Sequence, residues 1–116
     1  MELHQKIAYH RDRMAIEIRR HLKNSKLEAG GRTWTFSNAC PSGAWDWCVP
    51  GAHPDVWVYA TPWWELADGL PVTICTGTAD DGLYSDSLSL PFTGIVDWDA
   101  HRYLELMREF LYRIGT

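Results

Sequence analysis

The chain begins with apolar residues that recur every three or four positions. They share one side of a helix that turns about 100° per residue: Leu3, Ile7, Met14, Ile18 and Leu22. This stripe predicts an amphipathic helix over about residues 2–27, stopped by Gly30 and Gly31. Arg11 falls inside the stripe, so its guanidinium either snorkels to solvent or meets an acid of the β region.

From Arg32 onward the apolar period changes to two, which predicts strands. Two aromatic residues at i and i+2 share one face of their strand, and three such pairs follow one another: Trp34 with Phe36, Trp45 with Trp47, and Trp57 with Tyr59. Turn-forming segments at 39–43 and 50–54 separate the pairs and favour antiparallel neighbours. Further strands are predicted around residues 72–76 and, after an Asp-Gly turn at 80–82, around Leu88 and Leu90.

A second amphipathic helix is predicted over about residues 98–114. Asp97 is its predicted N-cap, and Asp99 lies close enough to favour the positive end of the helix dipole. Trp98 and Tyr112 fall on its polar side. Its apolar side is broad: Ala100, Tyr103, Leu104, Met107, Phe110, Leu111 and Ile114.

Together these elements predict a two-layer α+β fold. We expect a five-stranded, mostly antiparallel sheet over about residues 32–92, with the N-terminal and C-terminal helices packed on one face. The third strand should lie centrally, because Val56 and Val58 make it apolar on both faces. The 116 residues fit one domain, 1–116. A homodimer could cover the sheet face that the helices leave open.

Charge is segregated along the chain, although the net charge is only −4. Residues 1–32 contain eight Lys or Arg and four Asp or Glu, whereas no Lys or Arg occurs between Thr33 and His101. That stretch contains nine acids: Asp46, Asp55, Glu65, Asp68, Asp80, Asp81, Asp86, Asp97 and Asp99. Direct nucleic-acid binding is therefore not expected, because phosphates need clustered cations. A basic partner is expected instead.

The expected location is the cytoplasm. The first residues lack the apolar core of a signal peptide, and no stretch approaches the roughly 18 apolar residues of a membrane span. The odd number of cysteines leaves at least one outside any disulfide, so a disulfide framework is not indicated: Cys40, Cys48 and Cys75.

No sequence motif indicates an enzyme. A G-x-S-x-G elbow, H-E-x-x-H and a P-loop are missing from the sequence, and a small hydrolase using Asp and His of the loops is only a third choice. Asp97 and His101, at i and i+4, could form an acid–base dyad, but helix capping explains Asp97 better. Zinc would need an irregular ligand set: Cys40, Cys48, His53 and Asp55. Their C-x7-C-x4-H spacing matches no compact pattern, so neither a metal nor another cofactor is expected.

The sequence feature that best indicates a function is an acidic, aromatic surface. Aromatic rings and carboxylates both attract cations. Trp63 and Trp64 are adjacent, so at most one ring readily faces inward, whereas the i,i+2 pairs suit a core at least as well as a binding site. The predicted binding residues are Trp45, Trp47, Trp57, Tyr59, Trp63, Trp64, Glu65 and Asp68.

These residues favour a non-enzymatic binding module. It would bind a basic protein surface or self-associate, as an inhibitor or accessory protein would, using Trp anchors and acidic steering. The alternative is a binder of a cationic or aromatic small molecule in an aromatic pocket.

Overall fold

The structure is a computed structural model that describes residues 3–37, 45–49, 56–62, 71–78, 82–89 and 93–115. Two helices flank the strands in the chain: α1 (Leu3–His21) and α2 (Val96–Gly115). Between them lie β1 (Lys26–Ala29), β2 (Arg32–Ser37), β3 (Asp46–Val49), β4 (Val56–Pro62), β5 (Pro71–Thr78) and β6 (Gly82–Ser89).

The strands form one antiparallel meander in the order β1-β2-β3-β4-β5-β6. The predicted α+β class is confirmed, and β4 lies inside the sheet as its two apolar faces indicated. Of the two described helices, neither is long and apolar enough to cross a membrane.

The first helix is shorter than predicted. It ends at His21 rather than near residue 27, because Asn24 and Ser25 both adopt positive φ angles of 57° and 58°. Such a left-handed pair ends right-handed helical geometry, and Asn is among the residues that tolerate it best. The chain therefore reverses before the predicted helix is complete.

Part of the segment predicted as helix forms β1 instead, so the described residues contain a sheet of six strands rather than the predicted five. In β1, Leu27 and Ala29 are buried while the other two residues are exposed. Gly30 and Gly31, predicted to stop the helix, instead connect β1 to β2. Their φ angles of 62° and 76° are both positive, as a type I′ hairpin turn requires.

One hydrophobic core contains residues of both helices and of the sheet. The helices also pack on each other. From α1 the core takes Met14, Ala15 and Ile18, with Leu22 directly after the helix, and from α2 it takes Ala100, Tyr103, Leu104, Met107, Phe110 and Leu111. From the sheet and the residue before β3 it takes Leu27, Ala29, Trp34, Phe36, Trp45, Trp47, Val58 and Ala60. The predicted apolar stripe of the first helix is confirmed at Met14, Ile18 and Leu22, and the predicted apolar side of α2 is confirmed at its six core residues.

Tyr103 ties α2 to the sheet by two buried hydrogen bonds. Its hydroxyl accepts from Nε1 of Trp47 at 3.1 Å and donates to the carbonyl of Ala60 at 2.5 Å. Burial raises the pKa of the Tyr103 phenol far above its ordinary value of 10.0. The phenol is therefore neutral and keeps its proton for the bond to Ala60.

Contrary to the prediction from the sequence, Asp97 is not the N-cap of α2. The helix begins at Val96, so Asp97 lies inside its first turn instead of at the cap. Just before the helix, the hydroxyl of Thr93 accepts a hydrogen bond from the backbone N–H of Ile95 at 3.1 Å. Asp97 still benefits from the positive end of the helix dipole.

Candidate functional site

The cross-strand register assigns the aromatic residues to two different faces of the sheet. Trp47 stands opposite Val58 in the core, whereas Trp57 stands opposite Cys48 on the other side. We call this second side the outer face. Five of its residues are partly exposed: Thr35, Ser37, Asp46, Cys48 and Trp57.

Two of the predicted binding residues belong to the core. Trp45 and Trp47 are exposed by only 2% and 0%. Trp45 packs edge to face against Phe36 and Tyr103, with ring centroids 5.6 Å and 5.1 Å away. Packing against β2 and α2 encloses both indoles, so neither can contact a partner. The prediction that Trp45 and Trp47 are binding residues is therefore wrong.

Trp57 remains a candidate binding residue. It is half-buried on the outer face, and Tyr59 occupies the backbone position opposite Asp46 of β3 and Cys75 of β5. The loop residues of the predicted surface lie outside the described residues: Trp63, Trp64, Glu65 and Asp68. The same holds for three members of the irregular zinc set: Cys40, His53 and Asp55.

Asp46 is the partly buried acid of the outer face, to which β1 adds the exposed Lys26 and Glu28. Its Oδ1 is buried and, within the part of the chain that the structure describes, has no hydrogen-bond partner. Burial raises the pKa of the Asp46 carboxyl above 3.8, because a desolvated carboxylate is costly. Since no Lys or Arg occurs between Thr33 and His101, β3 to β6 contain no cation that could neutralise it.

The end of α1 and the start of α2 bring together a second group of polar residues, which we call the helix-junction cluster: Glu17, His21, Asp97 and His101. Donor atoms of the first three lie within 4.8 Å of one another. Nε2 of His21 is 3.7 Å from Oδ1 of Asp97, and the rings of His21 and His101 lie edge to face with centroids 6.4 Å apart. The i,i+4 spacing relates Asp97 to His101, but nothing in the sequence indicates that His21 of α1 lies beside Asp97.

A buried pair joins the same two helices. Nε2 of His10 donates a hydrogen bond of 2.8 Å to Oδ2 of Asp99, and the two residues are exposed by 6% and 1%. The Thr93 hydroxyl donates to the same carboxylate at 2.7 Å, as does its backbone N–H at 3.3 Å. These donors satisfy the buried Asp99 carboxylate, and the pair joins α1 to α2 inside the protein.

Sequence reasoning missed His10, although a signal was present. His10 follows Ile7 by three residues and precedes Met14 by four, so it lies on the apolar stripe of α1. The polar residue that meets an acid inside the protein is His10 rather than Arg11, and the acid comes from α2 rather than from the β region.

A groove of about 780 Å³ lies between the β1–β2 hairpin and α2. Its charged lining is mixed: Glu28, Arg32, Glu105, Arg108 and Glu109. Among the described residues around it, Tyr112 is the single aromatic one. The groove thus lacks the aromatic walls expected for a pocket that binds a cationic small molecule.

No protein-family model matches the chain, and no curated protein or solved structure is significantly similar to it. Its function must therefore be inferred from the chemistry of its own surfaces.

Proposed function

We propose that this chain is a non-enzymatic binding module that docks a basic protein partner on the outer face of its sheet. The observation that carries this proposal is Asp46, a partly buried carboxylate with an unpartnered oxygen. A guanidinium or ammonium group of a partner would supply the hydrogen bonds and the positive charge that β3 to β6 do not contain.

Trp57 supports the same interpretation. It lies in the strand next to Asp46, opposite Cys48, and is half-buried on the same face. An indole ring in this position can hold a cation against its face and bury the aliphatic part of a Lys or Arg. Trp is also the residue type most often found at the energetic centre of interfaces.

In this proposal both helices cover the core face of a single domain, 1–116, and leave the outer face to the partner. The loop after Pro62 would extend the surface with Trp63, Trp64, Glu65 and Asp68, whose side chains suit a basic partner in the same way. The expected compartment is the cytoplasm. As an inhibitor or accessory protein, the module would act by occluding the partner's basic surface.

Although its net charge is −4, a second copy of this chain also offers a locally basic surface. The last turn of α1 carries Arg19 and Arg20, both exposed, and these cations could meet the outer face of another molecule. Light scattering over a range of protein concentrations separates the two cases, because self-association produces a dimer in the absence of any other protein.

The proposal is tested with fluorescent poly-Arg and poly-Lys peptides, and with poly-Glu as the negative probe. Binding measured by anisotropy should be strongest at low ionic strength and should decline when salt screens the charges. Asp46→Asn and Trp57→Ala should each weaken binding by about tenfold or more. Glu109→Gln removes an exposed acid of α2 and should leave binding unchanged.

Circular dichroism of each variant establishes that the fold is intact. The proposal is overturned if both outer-face variants bind the cationic peptides as well as the original chain, or if binding does not respond to salt.

A further inference from the structure

We propose that the helix-junction cluster binds a divalent transition-metal ion, for which Zn²⁺ is the representative probe. Each helix contributes one carboxylate and one imidazole, four residues apart: Glu17 with His21 on α1, and Asp97 with His101 on α2. Residues at i and i+4 lie on one face of a helix, and this spacing lets two side chains of one helix reach the same ion. The site is separate from the outer face of the sheet.

The distances suit a small ion. Zinc bonds to nitrogen and oxygen are about 2.0–2.2 Å long, so two ligands of one tetrahedral ion lie about 3.4 Å apart. The 3.7 Å between Nε2 of His21 and Oδ1 of Asp97 is close to that separation. The donors of the three residues Glu17, His21 and Asp97 span at most 4.8 Å, and modest side-chain rotations at the protein surface would bring them onto one ion.

The hydrogen bonds already present leave donor atoms for the metal. Glu17 accepts from Arg20 through Oε1 at 2.8 Å, and a carboxylate has a second oxygen to offer. Nε2 of His101 lies 3.1 Å from Oε1 of Glu105. Metal-bound imidazoles commonly hold a carboxylate through one ring nitrogen, so His101 would use Nδ1 for the ion.

The donor types select the class of ion. Two imidazoles with two carboxylates favour zinc and its first-row neighbours, whereas calcium and magnesium prefer oxygen ligands alone. The two carboxylates also balance the charge of a divalent cation. His21 is the last residue of α1, where the helix dipole favours a cation, whereas Asp97 lies in the first turn of α2, where the dipole opposes one. The charges of the two carboxylates therefore decide the electrostatics of the site. A bound ion would join the end of α1 to the start of α2.

The test is a titration of the full chain with Zn²⁺, followed by calorimetry and by NMR of the histidine side chains. The imidazole signals of His21 and His101 should shift together as the metal is added. His21→Gln and Asp97→Asn should each weaken zinc binding by about tenfold or more, whereas Glu109→Gln should bind zinc like the original chain. All three replaced side chains are exposed, and circular dichroism checks that the variants remain folded.

Cysteines and His53 could bind zinc elsewhere, so Co²⁺ serves as a spectroscopic probe. Coordination by nitrogen and oxygen produces no thiolate-to-cobalt charge-transfer band. The proposal is overturned if the tightest cobalt site shows that band, if replacing a cysteine or His53 abolishes binding at that site, or if the His21 and Asp97 variants keep unaltered affinity. It is equally overturned if zinc does not bind at millimolar concentration or if Mg²⁺ displaces it.

Discussion

His10 on α1 and Asp99 on α2 are 89 residues apart in sequence, and their side chains share a buried hydrogen bond of 2.8 Å. The Asp99 carboxylate also accepts from the Thr93 hydroxyl at 2.7 Å. A buried carboxylate is costly unless donors surround it, so this network fixes the start of α2 against one face of α1.

The first prediction concerns that network. His10→Ala removes a donor from a buried carboxylate and should lower the free energy of unfolding by about 2–4 kcal/mol. Urea denaturation measures the change. His21→Ala, which replaces an exposed histidine of the same helix, should change stability by less than about 0.5 kcal/mol. Equal effects of the two substitutions would show that the His10–Asp99 contact contributes nothing.

The second prediction concerns the hydroxyl of Tyr103. Tyr103→Phe keeps the ring but leaves the indole N–H of Trp47 and the carbonyl of Ala60 without that partner in the core. The expected loss of stability is about 1–3 kcal/mol. Tyr112→Phe, on the exposed side of α2, is the matched control and should be nearly neutral. If Tyr103→Phe were neutral as well, the two hydrogen bonds would not contribute to stability.

The third prediction is a pH dependence caused by Asp46. Burial raises its folded-state pKa above 3.8, so the folded protein holds this proton more tightly than the unfolded chain does. The resulting stabilisation is complete below pH 3.8 and is lost as the pH rises through the folded-state pKa. Asp46→Asn should remove this dependence of stability on pH. Between pH 3.8 and the folded-state pKa of Asp46, the free energy of unfolding of the variant, relative to that of the original chain, should therefore increase with pH.

Carbon-13 NMR of the Asp46 carboxyl reads the pKa directly, and a value at or below 3.8 would contradict this account. The result also bears on the proposed binding surface. If Asp46→Asn weakens binding of a basic peptide while the fold is no less stable at neutral pH, the loss of binding cannot be attributed to unfolding.

The fourth prediction concerns the β1–β2 turn. Gly31 has a φ angle of 76°, and no atom beyond Gly31 and its two chain neighbours lies within 4 Å of the position that a Cβ would occupy. Gly31→Ala should therefore cost about 1–2 kcal/mol through backbone conformation alone, and Gly31→Asn should cost less because Asn tolerates this region better. Thermal unfolding of both variants checks the order, and an Ala variant as stable as the Asn variant would contradict it.

Much of the fold could be predicted from periodicity. The two-residue period from Arg32 onward located β2 to β6, and the helical stripes located the buried sides of α1 and α2. β1 was not predicted, because Leu27 and Ala29 are its only apolar residues. Four alternating residues are too few to outweigh a preceding helical pattern, and the positive φ angles of Asn24 and Ser25 are invisible to periodicity.

The candidate site was less predictable, because tertiary contacts decide it. The i,i+2 spacing shows that Trp45 shares a face with Trp47, but it does not relate that face to Trp57. The pairing of Trp47 with Val58 shows that Trp57, the neighbour of Val58, lies on the opposite face of the sheet from Trp47. This register depends on how β3 and β4 are joined. Likewise, contacts such as His10 with Asp99 or His21 with Asp97 join residues far apart in sequence.

The strands of the meander and the two helices can fold at different times during synthesis. Every strand pairs with its sequence neighbours, so hairpins can form while the polypeptide is still being synthesised. The helices come from opposite sides of that meander, and α2 supplies six of the core residues. Until α2 has left the ribosome, the indoles of Trp45 and Trp47 lack their contacts with Tyr103. The nascent chain should be most prone to aggregation during that interval.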